Sequence, residues 1–559
     1  MATAARRNET GHPAPVNRGP SAFHELPRSH VIATMAGLMV TLLLAALDQT
    51  IVGTAMPRIV ADLHGFENYA WPTTAYLLAS TAVVPLAGKL SDIYGRRIFL
   101  IGGTAFFVAA SALCGLAQDM IQLSAFRGLQ GAGAGILLSS VFTVGSALFP
   151  PAQRARIQGV FSATFGLASI GGPLLGGYLT DTMGWRSVFS VNVPVGIIAL
   201  IVLWFSFTDV RGEHRIRSVD YPGAIVLVAA VVPFLLALSW GGHDYAWDSL
   251  QVVGLSGFAV VMTIAFIAIE LRAAEPILPL DLFKNRTVAM CGVLVGLSMA
   301  GMFGAGLFVP LFVQAVIGTT AMESGTVLAP MMVAMVAASI GCGQLIGRTG
   351  RYKWVAVFGI SASAAGMFLL SGMGADTDYA TVARNIVVVG FGMGATMPCF
   401  NLAAQNAVGL NQLGVVTALT QFLRSIGATV GAAILGSMLV NRFAPELQRA
   451  LPPAVVAALP PGRMQQFSNP QALLNPDAAE LIRQSLAQAG PQAAPLFEPV
   501  MAAIKVALAG SLHDVFLSCG VILTLAGLLT LFLPDMKLQN TFAEETEADV
   551  PTPLAARSA

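Results

Sequence analysis

The chain has 559 residues, is 55% hydrophobic and only 11% charged, and carries a formal net charge of +1, with a mean hydropathy of +0.72. So little polar surface cannot coat a soluble globule, and cations scattered along the sequence form no basic domain for nucleic acid. The chain reads as an all-α integral membrane protein.

Residues 1–29 carry Arg6, Arg7, Arg18 and Arg28, and no small-residue cleavage site follows the first apolar run. They read as a disordered cytosolic tail, not a signal peptide. Apolar runs long enough to cross a hydrocarbon core of about 30 Å, roughly 20 residues as helix, then recur along the chain. The sequence predicts fourteen spans, near 30–54, 70–89, 97–117, 120–145, 155–180, 187–208, 220–240, 250–271, 287–314, 322–346, 353–373, 381–404, 412–440 and 508–533.

Between the second and third spans lies Gly88-Lys-Leu-Ser-Asp92-Ile-Tyr-Gly95-Arg96-Arg97, a short, charged, glycine-marked corner. A second such corner, Gly343-Gln-Leu-Ile-Gly347-Arg-Thr-Gly350-Arg351, keeps Gly, Leu, Gly and Arg at the same spacing, with Gly347 in place of Asp92. This internal duplication points to two six-helix bundles with a substrate site between them, as in many secondary transporters. The expected organisation is an N-terminal bundle over 30–209, an inserted helix pair with flanking loops over 210–286, and C-terminal bundle helices over 287–440. Beyond them come a partly helical external loop over 441–507, a last span over 508–534 and a cytosolic tail over 535–559. Asn475-Pro476-Asp477 with Glu480 supplies a helix start within the loop. A continuous helix from about Glu498 to Leu533, roughly 54 Å long, would project beyond the membrane.

Lys and Arg concentrate in alternate loops, at Lys89, Arg96, Arg97, Arg154, Arg156, Arg211, Arg215, Arg217, Arg272, Lys284, Arg286, Arg348, Arg351 and Lys353. The opposite loops carry little beyond Arg58, Arg186 and Arg384. The positive-inside rule therefore expects both termini in the cytoplasm of a multi-pass protein of the cell membrane.

Gly88, Leu90, Asp92, Gly95, Arg96 and Arg97 resemble the signature between helices 2 and 3 of the major facilitator superfamily. Leu47-Asp48-Gln-Thr50-Ile51-Val52 with Ala55 and Pro57 is similar to helix 1 of its fourteen-helix drug:proton antiporters. Arg127-Gly128-Leu-Gln130-Gly131 resembles their helix 4 element, and Gly172-Pro173-Leu-Leu-Gly176-Gly177 their helix 5 antiporter element. Trp185-Arg186 with Phe189, Asn192, Pro194 and Gly196 extends the likeness, while Ala168 departs from the glycine that usually opens the helix 5 element. The resemblance, over about 30–440 and the last helix, implies two six-helix bundles with two inserted central helices and proton-coupled export.

Asp48 is a functional candidate because a carboxylate inside a membrane costs several kcal/mol unless it is paired or hydrated. It and Arg127 lie at similar depth, so they are expected to form an ion pair, either a static tie between helices or the proton-coupling element. Arg424, near the midplane and one turn from Gln421, has no acid in its span. It either snorkels into a wet cavity or lines the translocation path with Gln421. By resemblance, Gly88, Asp92, Gly95, Arg96 and Arg97 form a conformational latch in which Asp92 binds Arg96 and the positive end of a neighbouring helix. Gly172, Pro173, Gly176 and Gly177 permit close helix contact and a bend.

Gly131-Ala-Gly133-Ala-Gly135 and Gly390-Phe-Gly392-Met-Gly394 sit inside apolar runs, without the strand and acid of a dinucleotide site. They read as packing glycines. No phosphate loop, catalytic constellation, HExxH motif or paired cysteine spacing occurs, so neither an enzyme nor a cofactor or metal is expected. The sequence reading is a proton-coupled exporter of small amphiphilic or lipophilic compounds, with protons and membrane lipid as its other partners. Alternatives are an exporter of an endogenous lipid or lipid-like metabolite, and a non-transporting receptor or assembly component. Residues 441–507 are the candidate docking segment for a periplasmic or extracellular partner.

Overall fold

The computed structural model describes residues 28–63, 71–207, 220–242, 245–273, 275–319, 327–409, 412–452, 480, 482–484, 486 and 496–535. The tails, Arg211, Arg215, Arg217 and the helix start at 475–479 lie outside them. The helices are α1 (Arg28–Asp62), α2 (Trp71–Tyr94), α3 (Arg96–Gly115), α4 (Met120–Ala147), α5 (Pro151–Met183), α6 (Ser187–Ser190) and α7 (Asn192–Ser206). Then come α8 (Tyr221–Trp240), α9 (Leu250–Glu270), α10 (Arg286–Phe312), α11 (Leu328–Thr349), α12 (Lys353–Ser371), α13 (Tyr379–Asn406), α14 (Leu413–Ala450) and α15 (Phe497–Thr530).

Local chemistry sets many helix ends. Asp119, Ser249 and Asp378 each accept a hydrogen bond from a first-turn amide of the following helix, and Asn285 from two. Hydrogen bonding from Thr381, its side-chain hydroxyl first, holds the Asp378 carboxyl below its ordinary range. Both duplicated corners turn at a left-handed glycine, Gly95 (φ 103°) and Gly350 (φ 66°), where a side chain would be strained.

Thirteen described helices are apolar enough to span a membrane, with α6 and α7 counted as one. The expected fourteenth, α2, is diluted by Pro72, Thr73, Thr74, Ser80, Thr81 and Pro85, yet it packs closely on α4 and α14. The two longest outer extensions are those of α14, past its expected end, and of α15, whose start matches the expected continuous helix from about Glu498. α14 continues to Ala450 and α15 begins at Phe497, making them about 57 and 51 Å long at 1.5 Å per residue. Part of the expected 441–507 loop is thus helix, tied laterally by Arg442 Nε and Asp514 Oδ2 at 3.1 Å.

The duplication is visible in the packing. In α4, a Cβ on Gly131 or Gly135 would strike the backbone of α2, and one on Gly133 that of α3. In α13, Gly390 and Gly394 stand against the backbone of α11, and Gly392 against Ser363 of α12. Each half is therefore built around one helix that meets two neighbours without intervening side chains, as membrane helices do where burial supplies little drive. The two halves thus repeat one all-α packing plan, with α8 and α9 packed against one another between them in sequence.

The halves meet at the end carrying the α2–α3 corner. There Gly88 lies against Gly414 and Ala418 of α14, and Gly159 of α5 against Ser339 and Ile340 of α11.

Candidate functional site

Asp48, on α1, is buried among side chains from α2, α3, α4, α6 and α7. Arg127 Nη1 donates to Asp48 Oδ2 at 2.6 Å and to Gln130 Oε1 at 2.7 Å. Gln130 Nε2 and Asn192 Nδ2 each donate to Asp48 Oδ1 at 2.8 Å, and both also reach Ser111 Oγ, at 3.0 and 2.9 Å. Ser111 Oγ in turn donates to the Phe189 carbonyl at 3.1 Å. The Arg127 guanidinium lies over the Tyr76 ring, 4.1 Å from its centroid, a desolvated cation–π contact worth about 2 kcal/mol.

The Asp48 side chain has no solvent exposure and that of Arg127 only 2%. Both Asp48 oxygens have partners, whereas Arg127 Nε is buried without one. Removing one member of a buried pair costs about 3–5 kcal/mol, mostly through the charge left behind. Loss of either charge alone would therefore strand the other among these buried partners.

Sequence reasoning placed Asp48 beside Arg127 but did not assign the neutral partners. Gln130 and Asn192 stand inside the quoted helix 4 and Trp185-Arg186 elements, so position flagged them. Ser111 and Tyr76 carry no motif, and only the fold shows them converging.

The corner residues make four separate polar contacts. Asp92 Oδ2 accepts from the Val415 amide at 3.2 Å, in the first turn of α14, and Asp92 Oδ1 from Arg96 at 3.4 Å. Gly414 leaves the room for that carboxylate, because its Cβ would strike it. Arg97 instead anchors the start of α3 on the Trp204 carbonyl at 2.7 Å. Lys89, in the same corner, pairs with Glu275 at 3.0 Å. Nearby Glu270 accepts from the amides of Ile277 and Leu278, folding back the linker that carries Glu275.

In α5, Gly172 and Gly176 face α1, where a Cβ would collide with Thr50 and Thr54 respectively. Thr50 also donates to the Ala168 carbonyl at 3.1 Å, so alanine at that position does not separate the helices. Gly177 meets nothing and Pro173 is exposed, so only half of the element makes the close contact.

Arg424 lies on α14 about 17 Å from its start, and among the described residues no carboxylate pairs with it. The helix does contain one acid, Glu446, which α14's extra length places about 33 Å beyond Arg424. Gln421 is buried with Oε1 unpartnered, and the two side chains are not hydrogen-bonded to one another.

A family model described as Major Facilitator Superfamily matches residues 38–432. The chain belongs to the Major Facilitator Superfamily. Multidrug transporter protein MdtP of Bacillus subtilis (strain 168) is 41% identical over 528 residues, covering 92% of this chain and 95% of that protein. Multidrug resistance protein 3 of the same organism is 36% identical over 511 residues, covering 91% and 96%. Among solved structures, the human organic anion transporter MFSD10 gives a TM-score of 0.58 at 12% identity over 89% of this chain and 100% of its own. The proton:xylose symporter XylE gives 0.54 at 13% identity over 91% and 97%. These likenesses show the Major Facilitator Superfamily fold alone. With such membership the protein is a multi-pass membrane transporter and not an enzyme.

Proposed function

We propose that the protein is a proton-coupled exporter of small amphiphilic or lipophilic compounds across the cell membrane, with both termini in the cytoplasm. The observation that carries this reading is the buried Asp48–Arg127 pair, closed by Gln130 and Asn192. Relatives named as multidrug transporters, at 41% and 36% identity, support the cargo class.

The Lys and Arg distribution assigns the α2–α3 end to the cytoplasm, so this conformation is closed toward the cell interior. A proton arriving from outside neutralises Asp48 and removes the charge that Arg127 faces. The freed guanidinium, already short of one partner at Nε, then seeks a new acceptor, and the rearrangement of α1 against α4 passes to α5 through the Thr50–Gly172 contact. Asp92 holds the closed end through the positive terminus of α14 until that equilibrium shifts. Uptake of a cationic dye into inside-out vesicles under an imposed proton gradient tests direction and coupling together. Uptake that ignores the gradient contradicts the reading.

A second reading, export of a lipid-like compound, is favoured by the reach of α14 and α15 beyond a hydrocarbon core of about 30 Å. It expects that replacing residues 451–496 with a short Gly/Ser connection abolishes lipid export while dye efflux continues. Equal retention of both activities contradicts it.

A further inference from the structure

We propose that Arg424 and Ser298 form a binding site for the carboxylate of an anionic amphiphile, whose apolar body lies against Met299, Met302, Met397 and Phe400. That this ligand is cargo rests on the exporter reading above; the site itself does not.

Arg424 stands in a small cavity between α10, α13 and α14, with Ser298 and the four apolar side chains named among its lining. Its Nε is buried without a hydrogen-bond partner, and Ser298 Oγ, from another helix on the same cavity, is likewise buried and unpartnered. Two unpartnered donors from separate helices thus line one space, whose other polar lining group is the Thr396 hydroxyl, already donating to the Gly392 carbonyl. Buried polar groups are nearly always satisfied, so such an arrangement points to an acceptor that the protein itself does not supply.

The missing acceptor is an anion. A guanidinium does not shed its charge and presents a planar fork matched to a carboxylate. Near the middle of a membrane, an uncompensated charge of this kind is costly and marks a functional site. The contact of Gly427 and Gly431 with the backbone of Gly296 and Ala300 fixes α10 against α14 beside the cavity, so Arg424 is held over it.

The rest of the wall selects the ligand's body. Methionine is flexible and polarisable and adapts to varied apolar shapes. The enclosed space is small, about 10 Å³, room for about one water-sized group, so it takes a carboxylate oxygen at the guanidinium and no more of the ligand. The remainder of the ligand extends through the mouth.

Binding of radiolabelled dodecanoate, its methyl ester and dodecyltrimethylammonium to the purified full chain in non-ionic detergent tests the site. Wild type is expected to bind dodecanoate about tenfold or more tighter than the ester. Arg424→Gln should lose that preference, Arg424→Lys should keep part of it, and Ser298→Ala should weaken dodecanoate alone. Melting temperature separates the site from a structural arginine: Arg424→Gln removes an uncompensated charge, so its ligand-free form should melt higher than wild type, and dodecanoate should stabilise only wild type. Equal binding of acid and ester, or unchanged dodecanoate binding by a folded Arg424→Gln protein, overturns the proposal. So does displacement of dodecanoate by chloride at matched ionic strength with chloride itself bound at Arg424, which would assign the site to an inorganic anion. Arg424-dependent binding without gradient-driven movement upholds the site and refutes only the exporter reading.

Discussion

The carboxylate of Asp92 accepts a hydrogen bond from the backbone nitrogen of Val415, 323 positions along the chain, and so joins the α2–α3 corner to the first turn of α14. The duplicated corner has Gly347 where the first has Asp92. The first corner therefore brings a carboxylate to the other half, and the second has none at the matching position. Asp92→Asn keeps an acceptor but loses the charge at a helix N-terminus, worth about 0.3–2 kcal/mol. The expected result is a two- to about thirtyfold shift toward opening of this end, read as a change in spin-label distances across α2 and α14, with substrate binding retained. Unchanged distances together with lost binding would mean misfolding and not a latch.

Gly172 and Gly177 share one element but make opposite predictions. Gly172→Val should drive α5 off α1 at Thr50, two residues from Asp48, destabilising the protein by about 1–3 kcal/mol and lowering transport. Gly177→Ala has open space and should leave both unchanged. Melting curves and efflux rates of the matched pair decide it. Equal behaviour would remove the helix contact from the account.

Asp62 provides a pH prediction at the exposed rim of α1. Its carboxylate accepts from Trp185 Nε1 at 2.8 Å and from Arg186 at 3.2 Å. These bonds, the tryptophan's first, hold its pKa below the usual carboxylate value. Because the folded-state pKa is the lower one, the contribution to stability is present above the unfolded carboxylate's pKa, near 4, and is lost as pH falls through the folded value. In a variant keeping Trp185 as its sole tryptophan, emission should change over an acid range below pH 4, and Asp62→Asn should abolish that step. A step near pH 6 would contradict the assignment.

Much of the fold could be read from the sequence because a hydrocarbon core demands long apolar runs, and cations mark their ends. The pairing of Asp48 with Arg127 was legible for the same reason, since two opposite charges at one depth have few other partners. Ser111 and Tyr76 were not legible: a serine and a tyrosine in apolar helices leave no periodic signal, and only the packing of α2 and α3 on α4 turns them inward. The end of α14 was missed because its polar outer turns look like loop once hydropathy falls, whereas the early start of α15 was one of the expectations. In those turns, lateral pairing such as Arg442–Asp514 accompanies helix that hydropathy alone does not mark.

Lys89 and Glu275 tie the corner to the linker after the inserted pair. Both side chains are partly exposed, so the pair alone should contribute little to stability, about 1 kcal/mol or less. Lys89→Ala and Glu275→Gln are each expected to leave melting nearly unchanged but to shift the same spin-label distances as Asp92→Asn, by a smaller amount. If Glu275→Gln leaves them as in wild type, the linker does not bear on the latch.

Proton coupling through Asp48 is tested most directly with a charge-neutral pair. Asp48→Asn alone leaves Arg127 buried and uncompensated, at a cost of about 3–5 kcal/mol, so lost export by that variant does not separate coupling from damage. Asp48→Asn/Arg127→Gln removes both charges and should recover most of the stability while keeping substrate affinity. In inside-out vesicles with matched expression, wild type should concentrate a cationic dye when the lumen is acidified, and the double variant should only equilibrate it, with no dye-dependent proton movement. Concentrative, gradient-driven uptake by a well-folded double variant would contradict the claim that Asp48 carries the proton.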